Sequence, residues 1–210
     1  MKNNIIDILK KIGAILTDDH FIYTSGKHGS IYINKDALYP HTGMSSKVGR
    51  IFAKKFKNFD IDVVAAPALG GIILSQWTAY YLSKLKKKEV LGVYTEKTQE
   101  GDQVFKRGYD KLIKGKNVLV VEDLTTTGGS VRKVVDKVKE VGGKVIAVCV
   151  MINRDPKKVT SKGVGAPFSS LGIFQAEAFE ENKCPLCRKK IPINVKVGHG
   201  KKYLEKKGKI

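Results

Sequence analysis

Apolar and polar positions along this chain fall into blocks that switch between helical and strand periods. In residues 4–16, Ile5, Ile8, Leu9, Ile12 and Leu16 sit at helical spacing and predict an amphipathic first helix. Residues 21–34 hold two β-like runs around a Ser-Gly-Lys-His-Gly-Ser turn, which is a hairpin signal. Met44, Val48, Ile51, Phe52 and Phe56 predict a second helix, followed by a strand at Val63 to Ala66, a helix over Ile72 to Leu82 and a strand over Val90 to Tyr94. Val118 to Val121 is apolar without alternation, the pattern of a strand buried on both faces of a parallel sheet. Val131, Val134, Val135, Val138 and Val141 then recur at helical spacing, with Arg132, Lys133, Asp136, Lys137, Lys139 and Glu140 on the other face. Gly142-Gly143 stops that helix, and Lys144 to Ile152 reads as a further strand.

Strands alternating with helices imply an α/β fold: a central parallel sheet with right-handed crossovers and flanking helices on both faces. No internal repeat or long linker divides the chain, so a single domain over 1–210 is expected, with an N-terminal part (1–40), an α/β core (41–175) and a C-terminal extension (176–210). Ligands on such sheets sit at the carboxyl ends of the strands. Four features fall there: the Pro67 to Gly71 loop, the polar stretch Thr95 to Gly108, the Glu122 to Ser130 loop and Asn153-Arg154-Asp155. The stretch from Thr95 has few apolar anchors and predicts a mobile loop or a two-stranded flap.

The chemistry concentrates in Glu122-Asp123-Leu124-Thr125-Thr126-Thr127-Gly128-Gly129-Ser130. A loop between a strand and a helix presents backbone N–H groups at the helix N-terminus, and four hydroxyl side chains add donors suited to a phosphate. Gly128 and Gly129 permit positive φ and close approach of the backbone to an anion. Carboxylates beside a phosphate would repel it, so Glu122 and Asp123 fit as acceptors for sugar hydroxyls or as groups facing a developing positive charge. A ribose phosphate meets all of these demands. Ordinary helix capping would need one hydroxyl residue and no acidic pair. Neither G-x-x-x-x-G-K-[ST] nor a G-x-G-x-x-G following a strand occurs.

This segment resembles the 5-phosphoribosyl-1-pyrophosphate (PRPP) motif of type I phosphoribosyltransferases, and nearly the whole chain resembles the orotate phosphoribosyltransferases among them. Thr24-Ser25-Gly26-Lys27-His28-Gly29-Ser30-Ile31-Tyr32-Ile33-Asn34 is similar to that family's N-terminal hood, which covers the base. Pro67-Ala68-Leu69-Gly70-Gly71 is similar to its pyrophosphate loop, and Lys106-Arg107-Gly108-Tyr109 to the end of its flap. Cys184-Pro185-Leu186-Cys187 resembles a shorter-flap bacterial and archaeal branch. The resemblance implies the type I phosphoribosyltransferase fold with a small hood, and transfer of the phosphoribosyl group from PRPP to orotate. It implies PRPP contacts at Leu69, Gly70, Lys97, Lys106, Arg107, Glu122, Asp123, Leu124, Thr125, Thr126, Thr127, Gly128, Gly129 and Ser130. Orotate contacts fall at Tyr32, Ile33, Thr126 and Arg154, whose guanidinium can offer a fork to a carboxylate. The catalytic groups implied are Lys97, Glu122 and Asp123, with Mg²⁺ held mainly by PRPP rather than by a protein metal site. A homodimer with the flap shared across the interface is also implied. Members with the longer flap carry a lysine where this chain has Thr24, and an Arg-Lys pair where it has Glu96-Lys97. Lys106 and Arg107 are therefore alternatives to Lys97 for neutralising pyrophosphate.

Lys and Arg outnumber Asp and Glu 39 to 20, a formal net charge of +19. The basic residues are scattered apart from Lys84 to Lys88 and the tail from Lys201, and no basic-aromatic interleaving of the RNA-binding kind is visible. A nucleic-acid or membrane surface is the sharp reading, a field attracting small polyanions the milder one, and a generally lysine-rich or thermophilic surface the plainest and as strong as the other two together; nucleic acid is not an expected partner. Three cysteines without a secretory pattern, one of them inside an apolar run, indicate a reducing cytoplasm. No apolar run is long enough to span a bilayer, and no membrane partner is expected. Cys184 and Cys187 have the spacing of half a zinc site with His199 as a third candidate, but a second C-x-x-C is missing and a structural turn or unligated thiols is favoured. The tail from Lys201 is expected to be solvated and frayed. The rival readings are a phosphoribosyltransferase for another base, and a PRPP-sensing regulator that binds nucleic acid on the same fold.

Overall fold

The computed structural model describes residues 5–23 and 25–208. Helix α1 (Ile5–Lys11) is followed by four two-residue strands, β1 (Ile15–Leu16), β2 (Phe21–Ile22), β3 (His28–Gly29) and β4 (Tyr32–Ile33). Next come α2 (Thr42–Lys55), β5 (Val63–Pro67), α3 (Gly70–Lys86), β6 (Leu91–Lys97) and β7 (Gln103–Val104). Then follow α4 (Tyr109–Ile113), β8 (Asn117–Thr125), α5 (Gly129–Glu140), β9 (Lys144–Asn153), α6 (Ser161–Val164) and β10 (Phe168–Ile173). Two short helices, α7 (Pro185–Arg188) and α8 (Gly200–Lys206), lie near the end.

The described residues form two compact units, one within the ranges 1–8 and 38–174 and one within the ranges 9–37 and 175–210. The first carries a six-stranded sheet in the order β10-β9-β8-β5-β6-β7. Its first five strands run parallel and β7 is antiparallel at the edge. Strands β5, β8 and β9 lie in the interior of this sheet, which is why their apolar runs lack alternation. Val63, Ala65, Val118, Val120, Val148 and Val150 share one core cluster with Val131, Val134, Val135 and Val138 of α5. By the two-residue period of strands, the buried Val64, Ala66, Leu119, Val121, Cys149 and Met151 point to the opposite face. Each fully buried valine or leucine contributes about 1.5–3 kcal/mol. The expected α/β sheet is thus present, with β10 and the short helices α4 and α6 added to it.

The second unit pairs β1 with β4 and β2 with β3, both antiparallel. A hairpin forms here, but β2 pairs with His28–Gly29, which the sequence places in the turn, whereas the expected second run at Tyr32–Ile33 pairs with Ile15–Leu16. The first helix is shorter than its apolar spacing suggested, because Gly13 takes φ +67° and releases Ile15–Leu16 as a strand. The tail does not fray at Lys201: α8 is formed, Tyr203 packs edge-on against the His28 ring, and Lys207 pairs with Glu181.

Candidate active site

Strands β5 and β8 are adjacent and parallel. From β5 the chain goes to β6 on one side, and β8 leads to β9 on the other. A crevice opens at the carboxyl ends of such a pair, because its two connections depart in opposite directions. The loop after β5 and the loop after β8 meet there. Gly70 is buried at the start of α3, and a Cβ at this position would collide with Oδ2 of Asp123 and with the Tyr39 hydroxyl. Glycine at 70 is therefore a requirement of close approach. Leu69 beside it is 83% exposed, and the Ala68–Leu69 peptide is cis.

The two carboxylates lie on β8 itself. The sequence reading ended the strand at Val121 and put both in a loop, but the ladder to β9 continues through Glu122↔Val150, Leu124↔Ile152 and Thr125↔Asn153. Carboxylates are tolerated inside this strand because each finds donors. Asp123, 2% exposed, accepts a 2.6 Å hydrogen bond from the Tyr39 hydroxyl. Glu122, 7% exposed, accepts from the Asp123 N–H at 2.9 Å and from Ser130 Oγ at 3.3 Å. Successive strand residues face opposite ways, so Asp123 serves the Gly70 side and Glu122 the α5 side.

Beyond Thr125 the chain turns sharply into α5. Thr125 Oγ1 accepts from the Gly128 N–H at 2.9 Å, and Gly128 is a buried N-cap with φ +80°. Thr126, Thr127, Gly129 and Ser130 are exposed around it. As N-cap, Gly128 supplies no side-chain acceptor to the first turn of α5. Backbone donors, hydroxyls and the helix dipole thus converge on one surface turn, a geometry that binds phosphate. Leu124 is half-buried between the carboxylates and this turn. The end of β9 is clamped to the same place, since the Arg154 N–H donates to the Thr125 carbonyl at 2.9 Å. Arg154 is half-buried.

The flap is two-stranded at its base. Glu96 pairs with Val104 and Lys97 with Gln103, while Thr95 Oγ1 bonds Gln103 Oε1 at 2.6 Å in the interior. Glu96 is contacted by both alternative cations: Lys106 Nζ at 3.2 Å and the Arg107 guanidinium. Lys97 is exposed at the end of β6 and has no ion-pair partner among the described residues. At the flap's turn, Lys133 of α5 donates to the Gly101 carbonyl at 2.6 Å and pairs with Asp102 at 3.1 Å.

The structure therefore gathers the predicted residues on β5, β6, β8 and β9 at the carboxyl edge of one sheet. Tyr32 and Ile33 belong to the second unit, where Ile33 is buried and the Tyr32 ring lies 5.5 Å from Phe21. Thr24 lies outside the described residues. The sequence reading missed Tyr39, which carries no local signal because its partner is remote in sequence.

Comparison with known proteins agrees with this geometry. The family described as phosphoribosyl transferase domain matches residues 34–164. The orotate phosphoribosyltransferase of Caldanaerobacter subterraneus subsp. tengcongensis is 37% identical over 202 residues, covering 95% of this chain and 98% of that protein. That of Thermoanaerobacter sp. strain X514 is 38% identical over 200 residues, covering 95% and 98%. Among solved structures, Mycobacterium tuberculosis orotate phosphoribosyltransferase in complex with inorganic phosphate superposes with a TM-score of 0.62 at 19% identity, over 81% of this chain and 95% of that one. With this fold and this crevice, the chain belongs to the phosphoribosyltransferase family and, within it, to the orotate phosphoribosyltransferases.

Proposed function

We propose that the chain transfers the 5-phosphoribosyl group from PRPP to orotate, giving orotidine 5'-monophosphate and pyrophosphate, a step of UMP synthesis. The observation that carries this reading is the contact of Gly70 with Asp123 beside the Thr125 to Ser130 turn, which joins a pyrophosphate-type loop to a ribose-phosphate cradle. In this assignment the turn and the N-terminus of α5 hold the 5'-phosphate. Asp123 and Glu122 accept from the ribose hydroxyls and offset positive charge as C1 parts from pyrophosphate. Leu69 and Gly70 lead the backbone past the pyrophosphate. Lys97 supplies the flap's cation, because Glu96 already occupies Lys106 and Arg107. Arg154 and Thr126 receive orotate, and Tyr32 and Ile33 are assigned to the base by the hood resemblance. Orotate's N1 is acidic enough to lose its proton without a protein base.

Mg²⁺ is proposed to enter on the PRPP pyrophosphate. The ion's hard oxygen donors would come mainly from PRPP, with Asp123 the carboxylate beside Gly70 on the pyrophosphate-type loop. When bound, it neutralises charge on the leaving group. A homodimer sharing the flap and a cytoplasmic location complete the proposal. No helix among the described residues is long and apolar enough to cross a membrane. Buried Cys149, whose thiol is pushed up to about 11 by burial, suits a reducing compartment. The deciding experiment is incubation with PRPP and Mg²⁺ plus orotate, uracil or a purine in turn, following loss of base absorbance. Consumption of a purine in preference to orotate would overturn the assignment.

A further inference from the structure

In the unit of residues 9–37 and 175–210, four side chains from the two segments converge. His20 Nε2, His28 Nδ1 and the sulfurs of Cys184 and Cys187 all lie within 4.8 Å of one another. His20 Nε2 is 2.8 Å from His28 Nδ1, 3.7 Å from Cys184 Sγ and 3.8 Å from Cys187 Sγ. His28 Nδ1 is 3.3 Å from Cys187 Sγ. Zinc bonds of about 2.0–2.1 Å to nitrogen and about 2.3 Å to sulfur give tetrahedral edges of about 3.3 Å between nitrogens and about 3.6 Å between nitrogen and sulfur. The nitrogen–sulfur distances here bracket that edge, and the nitrogen pair would open by about half an ångström to reach its own.

We infer that His20, His28, Cys184 and Cys187 form a closed structural Zn²⁺ site that staples the N-terminal segment of this unit to its C-terminal one. This replaces the favoured reading of Cys184-x-x-Cys187 as a structural turn or unligated thiols, and His199, the third candidate ligand, is not among the four converging residues. Three of the four side chains, His20, His28 and Cys184, are 1% exposed or less. The Nδ1 of His20 lies 2.8 Å from the Ile191 carbonyl, a contact only a protonated nitrogen makes. That bond leaves the Nε2 lone pair aimed at the other three groups, the orientation a carbonyl imposes on a metal-ligating histidine.

The backbone holds the ligands in place before any ion arrives. His28 exchanges two 2.8 Å hydrogen bonds with Phe179, and the His20 carbonyl accepts from Asn194 at 2.8 Å. Cys184 caps α7 and the Lys190 N–H closes back on the Cys187 carbonyl at 2.9 Å, with Lys190 at φ +56°. The result is a tight turn presenting both sulfurs on one side.

The unit needs such a staple. Its strands are two residues each, and its longest helix lying wholly within it is α8, of seven residues. Elements this short bury too little apolar surface to hold two distant segments together. On binding, both thiols lose their protons to solvent, and the two thiolate charges offset those of the ion. A neutral centre is one that burial tolerates. Mixed imidazole and thiolate donors select zinc over magnesium or calcium, and four protein ligands leave no open position for catalysis.

The test is metal analysis of the full chain purified without added metal or chelator. About one zinc per chain is expected, retained in His199→Gln and Cys149→Ser and lost in Cys187→Ser. Replacing zinc by Co²⁺ in the parent should give the visible bands of a tetrahedral site and a near-ultraviolet thiolate charge-transfer band. That spectrum decides the matter even where Cys187→Ser fails to fold. Parent protein that neither carries zinc nor takes up Co²⁺ would overturn the site, as would a Cys184–Cys187 disulfide, or iron in place of zinc. Because the readout is metal content and not turnover, its failure leaves the orotate assignment standing.

Discussion

The Tyr39 hydroxyl donates to Oδ2 of Asp123 across 84 residues of sequence, and Gly70 packs against the same two atoms. Tyr39 thus fixes the rotamer of a carboxylate to which the proposed function assigns the ribose. Removing that hydroxyl should cost what a hydrogen bond to a charged group is worth, roughly 1.5–3 kcal/mol when the acceptor is left buried. Tyr39→Phe is expected to lower kcat about 10- to 100-fold with an unchanged circular dichroism spectrum. Asp123→Asn should lower it by about 10²-fold or more. Asp123 leaves the mechanism if that variant keeps activity within about twofold of the parent.

Lys97→Ala should damage turnover more than PRPP affinity, because a flap cation acts mainly after closure. Lys106→Ala should do less, since Lys106 is already engaged by Glu96. Steady-state constants for the two variants check the order; equal losses would mean that Glu96 releases Lys106 during the reaction. Mixing Lys97→Ala with Asp123→Asn subunits tests sharing. Recovery of activity on mixing is expected if the flap serves a neighbouring subunit, and none if it serves its own.

Arg154 follows β9 directly, with its N–H on the Thr125 carbonyl. Truncating a guanidinium fork to a carboxylate should cost roughly 2–4 kcal/mol. Arg154→Ala is expected to raise the KM for orotate far more than that for PRPP, and to narrow the preference for orotate over uracil. An unchanged orotate KM would remove Arg154 from the base site.

What the sequence revealed and what it hid follow from range. Val118 to Val121 and the valines of α5 announce their burial within a few residues, so the strand-loop-helix unit and its hydroxyl- and glycine-rich turn were legible. The extension of β8 through Glu122 and Asp123 was not, because those carboxylates depend on Tyr39 and Ser130, which no local pattern pairs with them. Strand β10, Phe-Ser-Ser-Leu-Gly-Ile, has too few β-branched residues to stand out and exists through its pairing with β9. His20 and His28 were invisible as partners of Cys184 and Cys187 for the same reason. The available signal was two histidines, one just before β2 and one in β3, in a chain that also holds a C-x-x-C.

Acid should expose a further link in the sheet. The Asp62 carboxyl is held below its ordinary 3.8, first by the Asn117 N–H at 3.0 Å and then by Lys88, against the opposing effect of burial. A depressed carboxylate contributes stability above its unfolded-state pKa and loses it as pH falls through the folded-state value. Asp62→Asn is therefore expected to lower the thermal midpoint near neutral pH. Its deficit should shrink as the pH drops below 3.8. A deficit independent of pH in thermal melts would assign the loss to packing.

Lys133 joins the flap's turn to the helix whose first turn is assigned to the phosphate in the proposed function. Both ends of that link are solvent-exposed, and an exposed ion pair contributes about 0.2–1 kcal/mol. The hydrogen bond from Lys133 to the Gly101 carbonyl adds to the same link. In the proposed reaction, salt that screens this exposed pair is expected to loosen the flap's turn from α5, which makes flap release sensitive to ionic strength.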